Sequence, residues 1–297
     1  MISSIFQNNM IKMKTKNWIL GAGILITAVS CSKEYSLENS SNNSNGLIVG
    51  IDCRISKIAY TDTSSNTGLG AITATINSLD IVTKIIKFDS LSSTIEFIAT
   101  PVYANDTVYI NADEYFIVDL NKRISKLHGL VDPTDPFSNQ YDINYNYTAS
   151  GYLSTKSYAL TSSPGFPFYL VTYTYTGGNL THMSGTELLS GDLIIDADIT
   201  YYSNIIPKRF LYIFPDEKGY PYFNQFYNYG TRPFNAIKNM KIRNYDPGNV
   251  VRDSTFSSFS NYIMSRDTYV LSVQMNGDDQ PSIPASAGKL SFSYKCK

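Results

Sequence analysis

The sequence predicts an all-β fold, a long twisted antiparallel sheet of repeated hairpins that is curled or forms a half-barrel, with one short helix. Three observations predict it. Tyrosine is frequent, with 24 among 297 residues, and many tyrosines alternate with Ser, Thr or Asn. Apolar residues at helical spacing are scarce, and clusters of Gly, Asn, Asp and Pro interrupt the alternating runs. This pattern is typical of strands joined by tight turns. A β-sandwich is the alternative arrangement.

Residues 1–30 have the pattern of a signal peptide. Lysines at positions 12, 14 and 16 precede an apolar run over 18–29, and small residues then lead to Cys31. The run is shorter than the roughly 20 residues that a bilayer span needs. Met1 and Met13 are alternative starts, because the residues before Met13 add nothing to the pattern. An ordinary secretory signal that happens to precede a cysteine is the alternative interpretation.

Cys31 resembles the lipid-modified cysteine of bacterial lipoproteins. The resemblance implies acyl chains on this residue, which would make the membrane a partner through a lipid anchor. Residues 31–46 are rich in Ser and Asn and are expected to form the flexible tether. Ser32 in place of aspartate implies the outer membrane, and both its periplasmic and its surface face remain open. Residues 47–297 are expected to form a single β-rich domain.

The charge balance excludes some partners. Three of the 24 basic residues lie in the signal peptide, which leaves 21 against 25 acidic residues and a net charge of −4. This balance argues against a nucleic-acid partner. His128 and His182 are the two histidines, and neither lies in a metal-ligand spacing or beside a nucleophile motif. The sequence therefore predicts no metal site and no cofactor.

Cys53 and Cys296 remain once Cys31 is assigned to lipid. Around Cys53, apolar and polar residues alternate, and the same alternation runs over 290–296. Such a period of two indicates half-buried strands with both cysteines on the apolar face. An envelope location permits disulfides, so we expect a cross-strand bridge between Cys53 and Cys296. Two free buried thiols are the alternative.

The middle of the chain carries a degenerate repeat. Each copy has an aromatic strand, a short turn of Asn, Asp or Gly, and a second strand that opens on an apolar residue. These turn residues tolerate the positive φ of tight hairpins. The copies cover residues 115–127, 145–153, 173–183 and 262–273, with a fifth expected at 214–220.

These hairpins resemble those of the Bacteroidota lipoproteins that carry domain of unknown function 4595, which are similar to the tyrosine-aspartate repeats of large bacterial shell proteins. Further matches are CRISKI at 53–58, YGTRPF at 229–234 and FSYKC at 292–296. The resemblance covers roughly residues 50–297 and implies a short helix near 234–241. Because that group has no established activity, the resemblance implies no catalytic residues.

Carboxylates are the reactive groups with the most suggestive spacing. Asp192, Asp196 and Asp198 alternate along a predicted strand and would project from one face. The carboxylates of glycosidases lie about 5–9.5 Å apart, a range that Asp196 and Asp198 would meet. A solvated polar face explains the spacing equally well.

An aromatic segment is the remaining candidate site. Tyr220, Tyr222, Phe223, Tyr227 and Tyr229 lie among Asn and Gln residues. Aromatic rings stack on sugar rings and amide side chains bind sugar hydroxyls, so this segment is a candidate ligand-binding platform for a glycan. A packed corner of the sheet is the alternative, since tyrosine rings also fill cores.

The sequence thus predicts a lipid-anchored cell-envelope protein with a binding or structural role and no catalytic activity. Its partner would be a glycan or an envelope protein. The alternatives are a surface glycan-binding lipoprotein and a carbohydrate hydrolase that uses Asp196 and Asp198.

Overall fold

The computed structural model describes residues 52–62, 68–90, 92–129, 141–216, 223–278 and 287–297. These residues form 17 strands of one sheet. The strands are β1 (Cys53–Asp62), β2 (Gly68–Ile76), β3 (Val82–Asp89), β4 (Thr94–Ala99), β5 (Val102–Ala104), β6 (Thr107–Tyr109), β7 (Tyr115–Val118), β8 (Ile124–His128), β9 (Tyr141–Tyr147), β10 (Leu153–Leu160), β11 (Pro167–Thr176), β12 (Asn179–Glu187), β13 (Leu193–Tyr201), β14 (Ile237–Asp246), β15 (Val250–Met264), β16 (Val270–Gly277) and β17 (Ala287–Cys296).

Antiparallel ladders join successive strands from β1 to β4 and from β5 to β17. A further antiparallel ladder joins β17 back to β1. No ladder joins β4 to β5 in the described part of the chain, and the sheet is therefore not closed. The predicted curled antiparallel sheet is confirmed, and the sandwich of two sheets is not formed.

At the break between β4 and β5, the two strands follow each other directly along the chain and are separated by a bend. Sixteen antiparallel steps lead from β5 through β17 and β1 to β4, so these two strands run in the same direction. A parallel crossover needs about a dozen residues or more, whereas only Thr100 and Pro101 separate them. Pro101 has no N–H to donate to a ladder. β4 therefore pairs with β3, and β5, after the bend, pairs with β6.

The predicted alternation around Cys53 continues through a β-bulge. Before the bulge the buried residues have odd numbers, Cys53 and Ile55. After the bulge they have even numbers, Ile58 and Tyr60. The register shifts between Ile55 and Lys57, so one extra residue moves the inward set by one position. Sequence alternation alone would have turned Lys57 inward.

Four predicted hairpins are formed, by β7–β8, β9–β10, β11–β12 and β15–β16. Their turns hold positive φ at Lys122, Gly151, Gly177 and Thr268, as their turn chemistry requires. The fifth predicted copy, at 214–220, is wrong for the described residues 214–216. Phe214 is buried outside any strand, and residues 217–220 lie outside the described residues.

The helix predicted near 234–241 is wrong, because β14 covers Ile237–Asp246. Buried Ile237 and Met240 are three residues apart, which resembles helical spacing. A bulge explains it: Asn239 pairs with Thr200, and Ile237 with the next residue of β13. The extra residue, Lys238, changes a spacing of two into three. A 3₁₀ helix at Phe223–Phe226 is the helical element that the described residues contain.

The long connection between β13 and β14 fills the inner face of the sheet. We call residues 202–236 the internal segment; 202–216 and 223–236 are described. Five consecutive residues, 210–214, are at most 6% exposed. The Phe210 ring lies 5.7 Å from that of Phe292 on β17, and the Phe214 ring lies 5.5 Å from that of Tyr173 on β11. One segment can reach both strands only by crossing the concave face.

Backbone hydrogen bonds hold the internal segment to loops at one end of the sheet. Thr231 N donates to Gly151 O at 2.8 Å, and Phe234 N donates to Gly178 O at 3.1 Å. Gly230 has φ +89°, and a Cβ there would lie 2.2 Å from Gly151 O. Only glycine combines this backbone conformation with so close an approach.

Candidate functional site

A shallow groove of about 380 Å³ lies on the outer face of β1, β17, β16 and β15. Ser291 and Ser293 line it, and they alternate with buried Phe292. Because successive side chains of a strand point to opposite faces, these serines face away from the core. Residues from all four strands line the groove: Lys57, Ala59, Ile263, Leu271, Ser272, Lys289, Ser291, Phe292 and Ser293.

Small side chains form the floor of the groove. Ala59 pairs with Ser291, and Ser291 pairs with Ser272. Ser272 is 5% exposed although it faces outward. Ile263 pairs with Ser272 and is 52% exposed, so it forms one wall. This row of short side chains across β1, β17 and β16 produces a depression on an otherwise convex surface.

Two bulges border the groove. The register of β15 against β16 shifts between Ser260 and Ile263, where Asn261 has φ +50°. On the opposite side, β1 is bulged between Ile55 and Lys57. Bulges bend a strand and change the direction of its side chains. This accounts for the exposed position of Ile263 and for the outward direction of Lys57.

The inner face holds a buried ion pair. Lys156 on β10 has an exposed fraction of 0%, and its Nζ lies 3.0 Å from Oδ2 of Asp216 in the internal segment. The Tyr173 hydroxyl donates to Asp216 Oδ1 at 2.7 Å. The Lys156 ammonium also lies over the rings of Tyr145, Tyr173 and Phe214, at 5.7, 5.7 and 5.0 Å. Pairing and ring contacts are what make burial of such charges tolerable.

A second, half-buried cation organises the internal segment itself. The guanidinium of Arg232 lies 3.8 Å from the Tyr212 ring centroid and donates to Gln225 Oε1 at 3.1 Å. It also donates to the carbonyl of Phe210. Burial lowers the pKa of Arg232. These contacts fold the segment back on itself, so its core is built from its own polar groups as well as from aromatic rings.

The candidate hydrolase residues lie in an ion-pair cluster. Arg243 Nε lies 2.6 Å from Asp196 Oδ1, and Arg243 Nη2 lies 2.6 Å from Asp198 Oδ2. The Tyr245 hydroxyl donates to Asp196 at 3.1 Å, and His182 Nδ1 lies 2.9 Å from Asp198 Oδ1. A single guanidinium therefore bridges the two carboxylates that the sequence placed on one strand.

Asp192 is separate from that pair. It precedes β13 and accepts a hydrogen bond from Gly248 N at 3.2 Å. The register of β13 shifts between Leu193 and Ile195, which breaks the alternation that predicted three aspartates on one face. The prediction of a shared strand face is therefore wrong for Asp192.

The electrostatics of the cluster favour an ion pair over proton donation. Partial burial acts to raise the pKa of Asp198, but hydrogen bonds from Arg243 and His182 outweigh it and lower that pKa. A glycosidase acid needs a raised pKa. Asp198 is thus held in its ionised form.

The substitution Asp198→Asn tests this interpretation. A carboxyl whose pKa is lowered by folding contributes stability above its ordinary value of 3.8 and loses it as the pH falls through the lower folded value. Because the side chain is 53% exposed, we expect a loss of at most about 1 kcal/mol at pH 7 and a smaller loss at pH 2. Urea unfolding at both pH values measures it, with Asp246→Asn as an exposed control. An undiminished difference at pH 2 would contradict the ion-pair role.

The aromatic segment is described only in part. Tyr220 and Tyr222 lie outside the described residues, as does the side chain of Phe223. Tyr229 is 2% exposed, and the Tyr227 ring lies 4.5 Å from that of Phe116. Its described tyrosines therefore pack in the core, and glycan binding by the segment stays a prediction.

The predicted disulfide is formed. Cys53 and Cys296 are cross-strand partners with an S–S distance of 2.06 Å and a Cα–Cα distance of 4.0 Å. His128 lies on β8 with Nδ1 2.8 Å from Asp142 Oδ1, so both histidines face carboxylates on neighbouring strands. Cys31, the candidate lipidation site, and the tether lie outside the described residues.

Neither a metal centre nor a membrane-spanning helix is found in the described ranges. No group of three or more His, Cys, Asp or Glu side chains there is placed to hold a metal ion. None of the helices in those ranges is long and apolar enough to cross a bilayer.

The sequence did not predict the groove, because the residues that line it come from four strands. The one local signal is the alternation of Ser291 and Ser293 with apolar residues near Lys289. Lys156 gave no signal of its own, since its partner Asp216 is 60 residues away.

No family model matches the sequence, and no curated protein matches it. Among solved structures, the chain is similar to a porin-like protein from Bacteroides uniformis, with 12% identity and a TM-score of 0.56 over 81% of this chain and 98% of that chain. A porin-like protein from Bacteroides vulgatus is also 12% identical, with a TM-score of 0.48 over 82% and 99% of the two chains. At this identity the first likeness concerns the fold alone. The resemblance to the domain 4595 lipoproteins stays a prediction.

Proposed function

We propose that the protein is a non-catalytic binding component of the bacterial outer membrane. Its lipidated Cys31 and the tether at 31–46 would hold the β-rich domain, 47–297, at the membrane. The groove carries the binding role, because the inner face of the sheet is filled by the internal segment whereas the groove lies open on the outer face.

Two observations support the envelope location. The disulfide between Cys53 and Cys296 is of a kind that persists in oxidising compartments such as the periplasm and the cell surface. A porin-like Bacteroides protein shares the fold. Cys53 also lies 22 residues beyond Cys31 in the sequence, so an acylated N-terminus would be attached close to the bridged strands β1 and β17.

The substitution Cys31→Ala tests the anchor. Two or three acyl chains bind a membrane almost permanently, because each buried methylene contributes about 0.8 kcal/mol. We expect radiolabelled palmitate to enter the wild-type protein and the control variant Ser36→Ala, both in the membrane fraction. We expect no label in Cys31→Ala, which should be released from that fraction.

Label at an undiminished level in Cys31→Ala would refute lipidation at this residue. Protease treatment of intact cells then distinguishes the two faces of the membrane. Cleavage of the wild-type chain would indicate surface display, and protection would indicate a periplasmic position.

A further inference from the structure

We propose that the groove binds an acidic oligosaccharide, a sugar chain that carries carboxylate or sulfate groups. This inference rests on the proposed binding function and names its ligand class. It depends on the charges at the ends of the groove, on the hydroxyls on its floor and on the fact that the strands beneath it are paired on both sides.

Two ammonium groups border the groove. Lys57 on β1 pairs with Ser293, four residues from Lys289 along β17. At about 3.4 Å per residue and one strand spacing, their Cα atoms lie roughly 14 Å apart. Among the described residues, neither ammonium has a carboxylate within 4.0 Å. Both cations are therefore available to separate acidic groups of one elongated ligand.

Hydroxyl groups accompany the two cations: Ser291 lies between them, Ser293 pairs with Lys57, and Ser272 lies beside Ser291 on β16. Ser272, Ser291 and Ser293 line the floor, and their hydroxyls make no hydrogen bond to another described residue. A hydroxyl can donate one hydrogen bond and accept two, so the half-buried Ser291 and Ser293 match a ligand that bears many hydroxyls. Ile263, 52% exposed, adds an aliphatic wall for the carbon face of a sugar ring.

A sugar fits this surface better than a peptide does. Peptides commonly add a strand to an open sheet edge, insert an apolar helix into a groove or place prolines between aromatic rings. Strands β16, β17 and β1 each pair on both sides, so the groove offers no free edge. Its lining mixes serine hydroxyls and lysine side chains with Ala59 and Ile263, so it is not the continuous apolar surface that a helix needs. The groove therefore favours a saccharide.

Calorimetric titration of the purified full-length protein in detergent with trigalacturonate tests the proposal. An open, shallow groove should bind weakly, with a Kd of about 1 mM or below. We expect the neutral trisaccharide maltotriose to show no saturable binding. Affinity for trigalacturonate should fall as salt is raised, because exposed charges are screened.

Charge variants locate the binding. We expect Lys57→Gln and Lys289→Gln each to weaken binding about three- to fivefold, and the double variant about tenfold or more. Lys84→Gln is the matched control, since Lys84 is an exposed lysine on β3 outside the groove; it should leave the Kd unchanged.

The substitution Ser291→Val tests the floor. Valine fills the depression and removes a hydroxyl, while its high strand propensity keeps β17 formed. We expect trigalacturonate binding to be lost and the urea midpoint of unfolding to be retained. Circular dichroism of each variant confirms that it is folded.

Three results would overturn the inference. The first is the absence of saturable trigalacturonate binding, and the second is binding that the two lysine substitutions leave unchanged. The third is equal or tighter binding of triglutamate, which would assign the groove to acidic peptides. All three are independent of acylation at Cys31, so a failure of the lipid anchor and a failure of the saccharide assignment give different results.

Discussion

Replacing Lys156 by methionine should lower the free energy of unfolding by about 3–5 kcal/mol, the usual cost of removing one partner of a buried ion pair. Asp216 would then keep a charge in the core without its ammonium partner at 3.0 Å. The loss should also loosen the internal segment, because Asp216 belongs to it whereas Lys156 belongs to β10. Urea denaturation followed by tyrosine fluorescence measures the change.

A double variant separates the charge from the packing. Lys156→Met combined with Asp216→Leu removes both charges and fills similar volume, so most of the lost stability should return. Tyr173→Phe belongs in the same series, because the Tyr173 hydroxyl donates to Asp216. Lys84→Met is the control, an exposed lysine whose loss should change stability by no more than about 0.5 kcal/mol. A single Lys156→Met variant as stable as the wild type would refute the role of the pair.

Removing the disulfide should have an effect of similar size. Cys53 and Cys296 close a loop with a sequence separation of 243 residues, and the loop-entropy model gives an upper value of about 5 kcal/mol for such a length. We expect the variant Cys53→Ser/Cys296→Ser to unfold at a markedly lower urea concentration than the wild type. The reduced wild-type protein should show the same midpoint as the variant.

The disulfide also joins the first and the last strand of the chain, β1 and β17. Without it, β1 and β17 are held by backbone ladders and by packing of Ile58 against the core. Limited proteolysis should therefore cut the reduced protein first near residues 53–62 or 287–296. Cys31→Ser serves as the control, since this cysteine does not take part in the bridge. Equal midpoints for oxidised and reduced wild-type protein would contradict the prediction.

Short-range patterns predicted the strands well. Alternation over 290–296 gave both the strand β17 and the inward direction of Tyr294, and the turn residues Gly177 and Gly178 gave the hairpin of β11 and β12. The disulfide could also be predicted from the sequence, because Cys53 and Cys296 each lie on the apolar side of an alternating run. In all these cases the deciding information lies within about ten residues of the chain.

Bulges account for the local errors. One extra residue at Lys238 produced a spacing that resembled a helix, and one between Leu193 and Ile195 separated Asp192 from the other aspartates. A bulge depends on what the partner strand presents, so alternation within one strand does not reveal it. The same reason explains why Lys57, beyond the bulge of β1, faces the groove rather than the core.

The sequence by itself determined the all-β class, the positions of most hairpins and the pairing of the end strands, because strand periodicity and turn chemistry are local properties of the chain. Only the tertiary structure decided that the internal segment fills the concave face, that Lys156 meets Asp216, and that residues of four strands form a groove. These features depend on contacts between residues tens to hundreds of positions apart, which burial of apolar surface selects only when the whole sheet is assembled.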